Sequence, residues 1–370
     1  MASSWGKQLT ITLFGESHGP SIGVVLTGLP AGERLDVAEA QEFMKRRAPG
    51  RMPWSTSRRE GDRFSVLSGL YQGQTTGTPL CAIIENEDAR SQDYGKRTTL
   101  LRPSHADFSG NARYQGANDP RGGGHFSGRL TAPLCFAGAV CKQILARQGI
   151  SVYARIAQIG SVYDQEVDLA SPDLARFQEL PNKKIPVLDE LKGEEMVAQV
   201  EQARNAGDSV GGLIQCFALG VPAGIGDPIF GGVESKVASI LYGIPAVKGV
   251  SFGAGFEVAG RTGSENNDTF FLTEGQIRTR SNHDGGITGG IANGMPIVVN
   301  VAIKPTPSIA KTQPSVNIEE MKEEILSITG RHDPCIVPRA LVAVEAALAV
   351  ALLDLMLVAY GVQGYAQRSG

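Results

Sequence analysis

Five histidines occur in this chain of 370 residues, and His18 has the most telling neighbours. It stands in Gly15-Glu16-Ser17-His18-Gly19, at the end of an alternating apolar stretch. Glycines on both sides allow a sharp turn and a close approach by a ligand, and a histidine held there can donate a proton near neutral pH. His105, in RPSHADFSG, lies in an equally polar loop beside Arg102 and Asp107. His125 follows Gly122-Gly123-Gly124, while His283 and His332 each precede an aspartate, in SNHDGG and GRHDP. A histidine taken singly is more often structural than catalytic; the setting of His18 points the other way. HExxH is absent, and no dedicated metal site is expected.

The arginines form a second pattern. Lys45, Arg46 and Arg47 close a helical stretch, and Arg51, Arg58 and Arg59 follow within a dozen residues. This is either a solvated basic face or a set of forks for carboxylates and phosphate, since a guanidinium matches both groups bidentately. Arg102, Arg113, Arg121, Arg129 and Arg331, all in glycine-rich loops, favour an anion-filled pocket. Gly122 to Gly124, and Gly285-Gly286 with Gly289-Gly290, form neither a Walker A nor a GxGxxG signature. They read as backbone cradles whose N–H groups can face a phosphate or a planar ring. Lys304 to Ser308 (KPTPS) adds a lysine, hydroxyls and two stiffening prolines. With a net charge of −3, nucleic acid is a poor main partner, because phosphate-backbone binders carry a basic excess.

These residues need a scaffold. Residues 8–30 read as strand, sharp polar turn, strand, and 36–47 as a helix capped by Asp36 with basic residues at its C-terminal end. Two strands are expected in 63–84, a long glycine-rich functional loop at 102–129, a helix at 130–148 and another at 193–207. GVVLTGLPAG (23–32) echoes GGLIQCFALGVPAG (211–224), and GTPLCAIIEN (77–86) echoes GMPIVVNVAIK (294–304). The echoes imply two similar sheet–helix halves sharing one core. The apolar run at 340–360 is interrupted by Glu345 and Asp354, which are expensive in lipid. A helix packed inside the protein or at a subunit contact is expected there. Gly6-Lys7-Gln8 precedes any long apolar stretch, so no secretory leader is expected. Five scattered cysteines without a CxxC read as free thiols, which fits a cytoplasmic protein.

Ten motifs together are specific. GESHG (15–19), RRAPG (46–50), SGLYQGQTTGTP (68–79), SQDYG (91–95), RPSHAD (102–107), PRGGGHFSGR (120–129), AVKGV (246–250), SNHDGGITGGIANG (281–294), KPTPS (304–308) and GRHDPC (330–335) resemble the chorismate synthase family, in the family's order. The resemblance implies an α/β fold: one catalytic domain spanning 1–370, with two antiparallel sheets flanking a helical layer in a pseudo-repeated topology. It implies a carbon–oxygen lyase that turns 5-enolpyruvylshikimate 3-phosphate, a phosphorylated dicarboxylate, into chorismate on the route to aromatic amino acids. The reaction is a 1,4-trans elimination with no net redox change that nevertheless needs reduced FMN.

By matching motifs, the resemblance gives His18 as the acid facing the departing phosphate and His105 as the acid that keeps the reduced flavin in its working protonation state. Ser17, Ser127 and Asp333 join them as catalytic candidates. Flavin contacts fall on Phe126, Ser127, Gly128, Pro245, Ala246, Gly289, Lys304, Pro305, Thr306, Pro307, Ser308 and Arg331. Substrate or NADP contacts fall on Arg46, Arg47, Arg51 and Arg129. A homotetramer is implied, with the apolar 340–360 helix as support. NADPH as reductant and an external flavin reductase both stay open. The chain departs from the family's usual residues at Ala48, Pro53, Ser104, His125, Leu130 and Pro245. Two other readings are an FMN oxidoreductase acting on a small carboxylated substrate, which would consume one reduced flavin per turnover, and a nucleic-acid or scaffold protein using the arginine cluster.

Overall fold

The computed structural model describes residues 3–50, 52, 54, 61–87, 99–328 and 333–367. Arg51, Pro53, Arg58, Arg59, Arg331 and His332 lie outside the described residues. The first sheet comprises β1 (Ser4–Gly6), β2 (Thr10–Gly15), β3 (Ser21–Thr27), β4 (Phe64–Ser68) and β5 (Leu80–Glu85), in the order β1-β2-β3-β5-β4. The second comprises β6 (Ser151–Ile159), β7 (Val162–Tyr163), β8 (Gly212–Leu219), β9 (Val247–Phe252) and β10 (Ile297–Ile303), in the order β7-β6-β8-β10-β9. Every pairing in both sheets is antiparallel. Alternation sets the faces: Ile22, Val24 and Leu26 on β3, with Leu80, Ala82 and Ile84 on β5, all point into the core. The second sheet is covered on both faces, because Phe217 and Val298 pack outward against Phe177, Leu180 and Leu188.

The helices are α1 (Val37–Arg47), α2 (Asp107–Tyr114), α3 (Thr131–Ala146), α4 (Leu174–Glu179), α5 (Glu190–Asn205), α6 (Val233–Leu241), α7 (Gly263–Asn266) and α8 (Val337–Gln367). Between the sheets, α3 packs on the first and α8 on the second, and the two helices touch along their length. Gly138 permits that approach: a methyl there would lie 2.2 Å from Ala346 Cβ. One hydrophobic cluster runs from Ile22 and Leu80 through α3 and α8 to Val299 and Val301. The apolar 340–360 segment is therefore a core helix of the protomer, long and apolar enough to cross a membrane but 94% buried inside the protein over that window. Its two acids have work inside. Asp354 accepts the backbone N–H groups of Lys7, Gln8 and Leu9, and Glu345 pairs with Arg46 and Lys142. The subunit-contact expectation for this helix fails for the same reason.

The sequence echoes mark a real repeat. Four adjacent strands of each sheet, β2-β3-β5-β4 and β6-β8-β10-β9, have the same connectivity, with α1 and α6 inserted at the same point and α3 and α8 following each set. The halves differ where it matters: β2 and β3 are joined by the short GESHG turn, whereas β6 and β8 are separated by about fifty residues carrying α4 and α5. The 102–129 segment is less irregular than expected, since α2 forms within it. Free cysteines sit as expected; burial pushes the Cys135 and Cys335 thiols up to about 12, so they are poor nucleophiles.

Candidate active site

The GESHG turn is a tight connection in which Gly19 N–H donates to the Glu16 carbonyl at 3.0 Å. Gly15 opens it at φ +94°, a conformation for which glycine is the natural residue. Ser17 and His18 are buried at 2% and 7% exposure. The Ser17 hydroxyl and one Glu16 carboxylate oxygen are buried with no hydrogen-bond partner among the described residues, which marks a place a ligand's polar group can fill.

The Gly122–Gly124 loop closes over this turn. Ser17 N–H donates to the Gly124 carbonyl at 3.1 Å. A methyl on Gly122 would lie 2.1 Å from His18 Nδ1 and Cε1, and one on Gly123 would lie 3.0 Å from His105 Cε1. The loop thus brings both predicted histidines to one place. His105 is held from behind: its Nδ1 is 2.6 Å from Asp107 Oδ1, and Arg102 grips the same carboxylate through Nε at 2.8 Å and Nη2 at 2.7 Å. Burial raises the Asp107 carboxyl, but the bonds from Arg102 and His105 outweigh it and hold it well below the usual carboxylate range. Asp107 is ionised whenever His105 works.

From there the contacts run round a ring. Lys304 Nζ donates to the Ser104 carbonyl at 2.5 Å, linking KPTPS to the His105 loop. Thr306 donates to the Asp333 carbonyl at 2.9 Å, and Arg339 Nη1 pairs with Asp333 Oδ2 at 2.6 Å. Arg339 Nε donates to the Arg47 carbonyl at 3.1 Å, and Arg47 shares the fully buried Asp62 with Arg129. Arg129 Nε donates to Asn86 Oδ1 at 3.0 Å, and Asn86 returns to the GESHG turn through the carbonyls of Glu16 and Gly19. Ser127 and Arg129 stand at the start of α3, and Asp333 stands before α8. Two helix N-termini, which favour anions, meet around Arg47.

A profile of the family described as chorismate synthase matches residues 9–357. The chain belongs to the chorismate synthase family. The chorismate synthase of Dehalococcoides mccartyi is 44% identical over 357 residues, covering 96% of this chain and 97% of that one. That of Thermococcus kodakarensis is 45% identical over 352 residues, covering 95% and 97%. A crystal structure of a chorismate synthase matches with a TM-score of 0.78 at 29% identity, covering 98% of this chain and 96% of the other. Members of the chorismate synthase family use FMN.

Against this family's pattern, two departures have local explanations. His125, where an arginine is usual, donates from Nδ1 to the Gly15 carbonyl at 2.8 Å while Nε2 accepts from Ser3 at 2.8 Å, tying the GESHG strand to the N-terminus. Ser104 takes a φ of +58°, a left-handed conformation that favours glycine. Nothing in the structure explains Leu130, buried where a glutamate is usual.

The remaining candidates divide. Ala246 borders the ring, its carbonyl accepting from Lys304 N–H at 3.0 Å, and follows Pro245 directly. Phe126 packs against Gly110 of α2. Gly289 lies on the hairpin of residues 287–292 with open space beside it and φ +63°, and its neighbour Gly290 packs on Asp227 and Gly232 instead of the ring. Arg46 is turned inward: its fork engages Glu345 at 2.7 and 3.3 Å, a core ion pair. Arg47 is 99% buried and shares Asp62 with Arg129. Sequence reading missed Asp62, Asn86 and Arg339. The one available signal was charge balance, since buried arginines need a buried carboxylate.

Proposed function

We propose that this chain is a chorismate synthase acting as one catalytic domain: it eliminates phosphate and a ring proton from 5-enolpyruvylshikimate 3-phosphate to give chorismate. The observation that carries the reading is the convergence of His18 and His105 on one glycine turn inside a ring of basic side chains. Reduced FMN, when bound, supplies the electron-rich partner for an allylic system losing its phosphate. The residues present suit it. Burial, and then the nearby Lys248, lowers the pKa of the Lys304 ammonium, so an anion such as the flavin phosphate would relieve two neighbouring cations. Phe126 to Gly128, Pro245, Ala246, Gly289, Lys304 to Ser308 and Arg331 would hold the cofactor.

The protein's own part is to hold anions and move protons. Arg47 and Arg129, both held on Asp62, are the forks that suit a substrate carboxylate or phosphate, and Arg51 is assigned the same role. His18 gives its proton to the leaving phosphate oxygen, and the Ser17 hydroxyl bonds beside it. His105, its Nδ1 committed to Asp107, would use Nε2 to hold a proton for the cofactor when it is bound. Ser127 and Asp333 complete the set, Asp333 as a proton relay steadied by Arg339. Burial of Ser17, His18, Gly123 and Gly124 limits the access of water to this part of the site.

Coverage by a second copy is also proposed, in a homotetramer. The support is now the hairpin of residues 270–279, where Phe270 and the cross-strand pair Leu272 and Ile277 are exposed. NADPH serves as reductant or an external flavin reductase does, and the setting is cytoplasmic. The test is anaerobic turnover with pre-reduced FMN: phosphate release without flavin consumption supports the lyase, and stoichiometric flavin oxidation supports an oxidoreductase.

A further inference from the structure

We infer that Asn86 is a positioning residue that fixes the His18 turn and ties it to Arg129; this rests on reading His18 as the acid. Asn86 directly follows β5. Its Nδ2 donates to the carbonyls of Glu16 at 3.0 Å and Gly19 at 2.8 Å, the two ends of the turn that carries Ser17 and His18. Its backbone N–H donates to the Pro20 carbonyl at 3.1 Å. Its Oδ1 accepts from Arg129 Nε at 3.0 Å, and Arg129 Nη2 donates to the neighbouring Glu85 carbonyl at 3.2 Å. One amide therefore clamps both ends of the turn and is itself oriented by a guanidinium.

The residue type is dictated by this use. Two donors on one side and an acceptor on the other are what a side-chain amide offers. Aspartate would keep the acceptor for Arg129 but set an oxygen against two carbonyls. Glutamine carries the amide one methylene too far. The clamp matters for rate because a reacting group displaced by about 1 Å can lose on the order of 10²-fold. Arg129 is anchored on its far side by the buried Asp62, so the placement of the acid and the placement of an anion-binding fork share one rigid set of bonds.

The test uses the full-length protein with reduced FMN and saturating substrate, followed in single turnover. Asn86→Ala should slow elimination about 10- to 100-fold, with flavin affinity and substrate KM changed less than about 3-fold. In a His18→Ala background the same substitution should cost nothing further, because a residue acting through His18 has nothing left to position. Asn86→Asp, nearly isosteric, should reproduce the loss and carries the test if the alanine variant does not fold. Independent, multiplying losses in the double variant would overturn the inference while leaving His18 as the acid, and so would wild-type rates in both Asn86 variants. Near wild-type turnover in His18→Ala would remove the acid reading and this inference with it.

Discussion

His18 and His105 lean on adjacent residues of a single backbone turn, Gly122 and Gly123, although 87 positions separate them in the sequence. Their surroundings differ. His105 has a carboxylate at Nδ1, itself gripped by Arg102, while His18 is carried in a clamped turn beside the Ser17 hydroxyl, which has no hydrogen-bond partner among the described residues. Two histidines in one site with different backing groups are suited to different protons.

They should therefore fail differently. His18→Ala is expected to bind reduced flavin and substrate almost normally yet lose turnover by roughly 10²–10⁴-fold, the usual worth of a positioned acid. His105→Ala should lose activity and also change the spectrum or titration of the bound reduced flavin. Single-turnover rates and reduced-flavin spectra of the ternary complexes separate the two; equal spectra in both variants would contradict the division of roles.

Asp107→Asn tests the backing of His105. An amide can hold the ring but does not stabilise its protonated form as a carboxylate does. Because the Asp107 pKa is held far down, its charge is constant across the working pH range. The substitution should shift the alkaline limb of the pH–rate profile to lower pH, because a proton donor fails as it deprotonates; a wild-type profile would show that Asp107 only packs.

Gly122→Ala should be severe for a local reason. It combines a φ of +59° with a methyl 2.1 Å from the His18 ring, so the ring must move. Turnover should fall by on the order of 10²-fold, with melting changed far less than rate. Unchanged turnover would mean that the loop does not lie against His18.

Glu345 offers a stability test away from the chemistry. Burial raises its pKa, but Arg46 and Lys142 outweigh that and hold it below 4.5. Its contribution is thus present above the ordinary glutamate range and is lost as pH falls through the lower folded value. Glu345→Ala should cost about 3–5 kcal/mol at neutral pH, because it leaves Arg46 and Lys142 without their buried carboxylate. Its unfolding free energy should also depend less on pH below 4.5 than that of wild type. Chemical denaturation across pH checks both points.

Much of the frame was legible because strand alternation and the two internal echoes record local pattern: GVVLTGLPAG and GGLIQCFALGVPAG became β3 and β8, in equivalent places. Glu345 and Asp354 correctly argued against a lipid-facing helix, but sequence could not say that α8 lies between the sheets. Its burial depends on Gly138 meeting Ala346 from a distant helix. Asp62 and Asn86 were invisible for the same reason. Each gains its meaning from Arg129, 67 and 43 positions away. The α2 helix was hidden by the polar, glycine-rich composition of its segment.

The most direct test of the lyase account is an anaerobic assay with dithionite-reduced FMN and 5-enolpyruvylshikimate 3-phosphate, measuring phosphate, chorismate and reduced flavin in one sample. The account predicts phosphate and chorismate in equal amounts over many turnovers while the reduced flavin stays constant. Loss of one reduced flavin for each substrate consumed, or phosphate without chorismate, would contradict it.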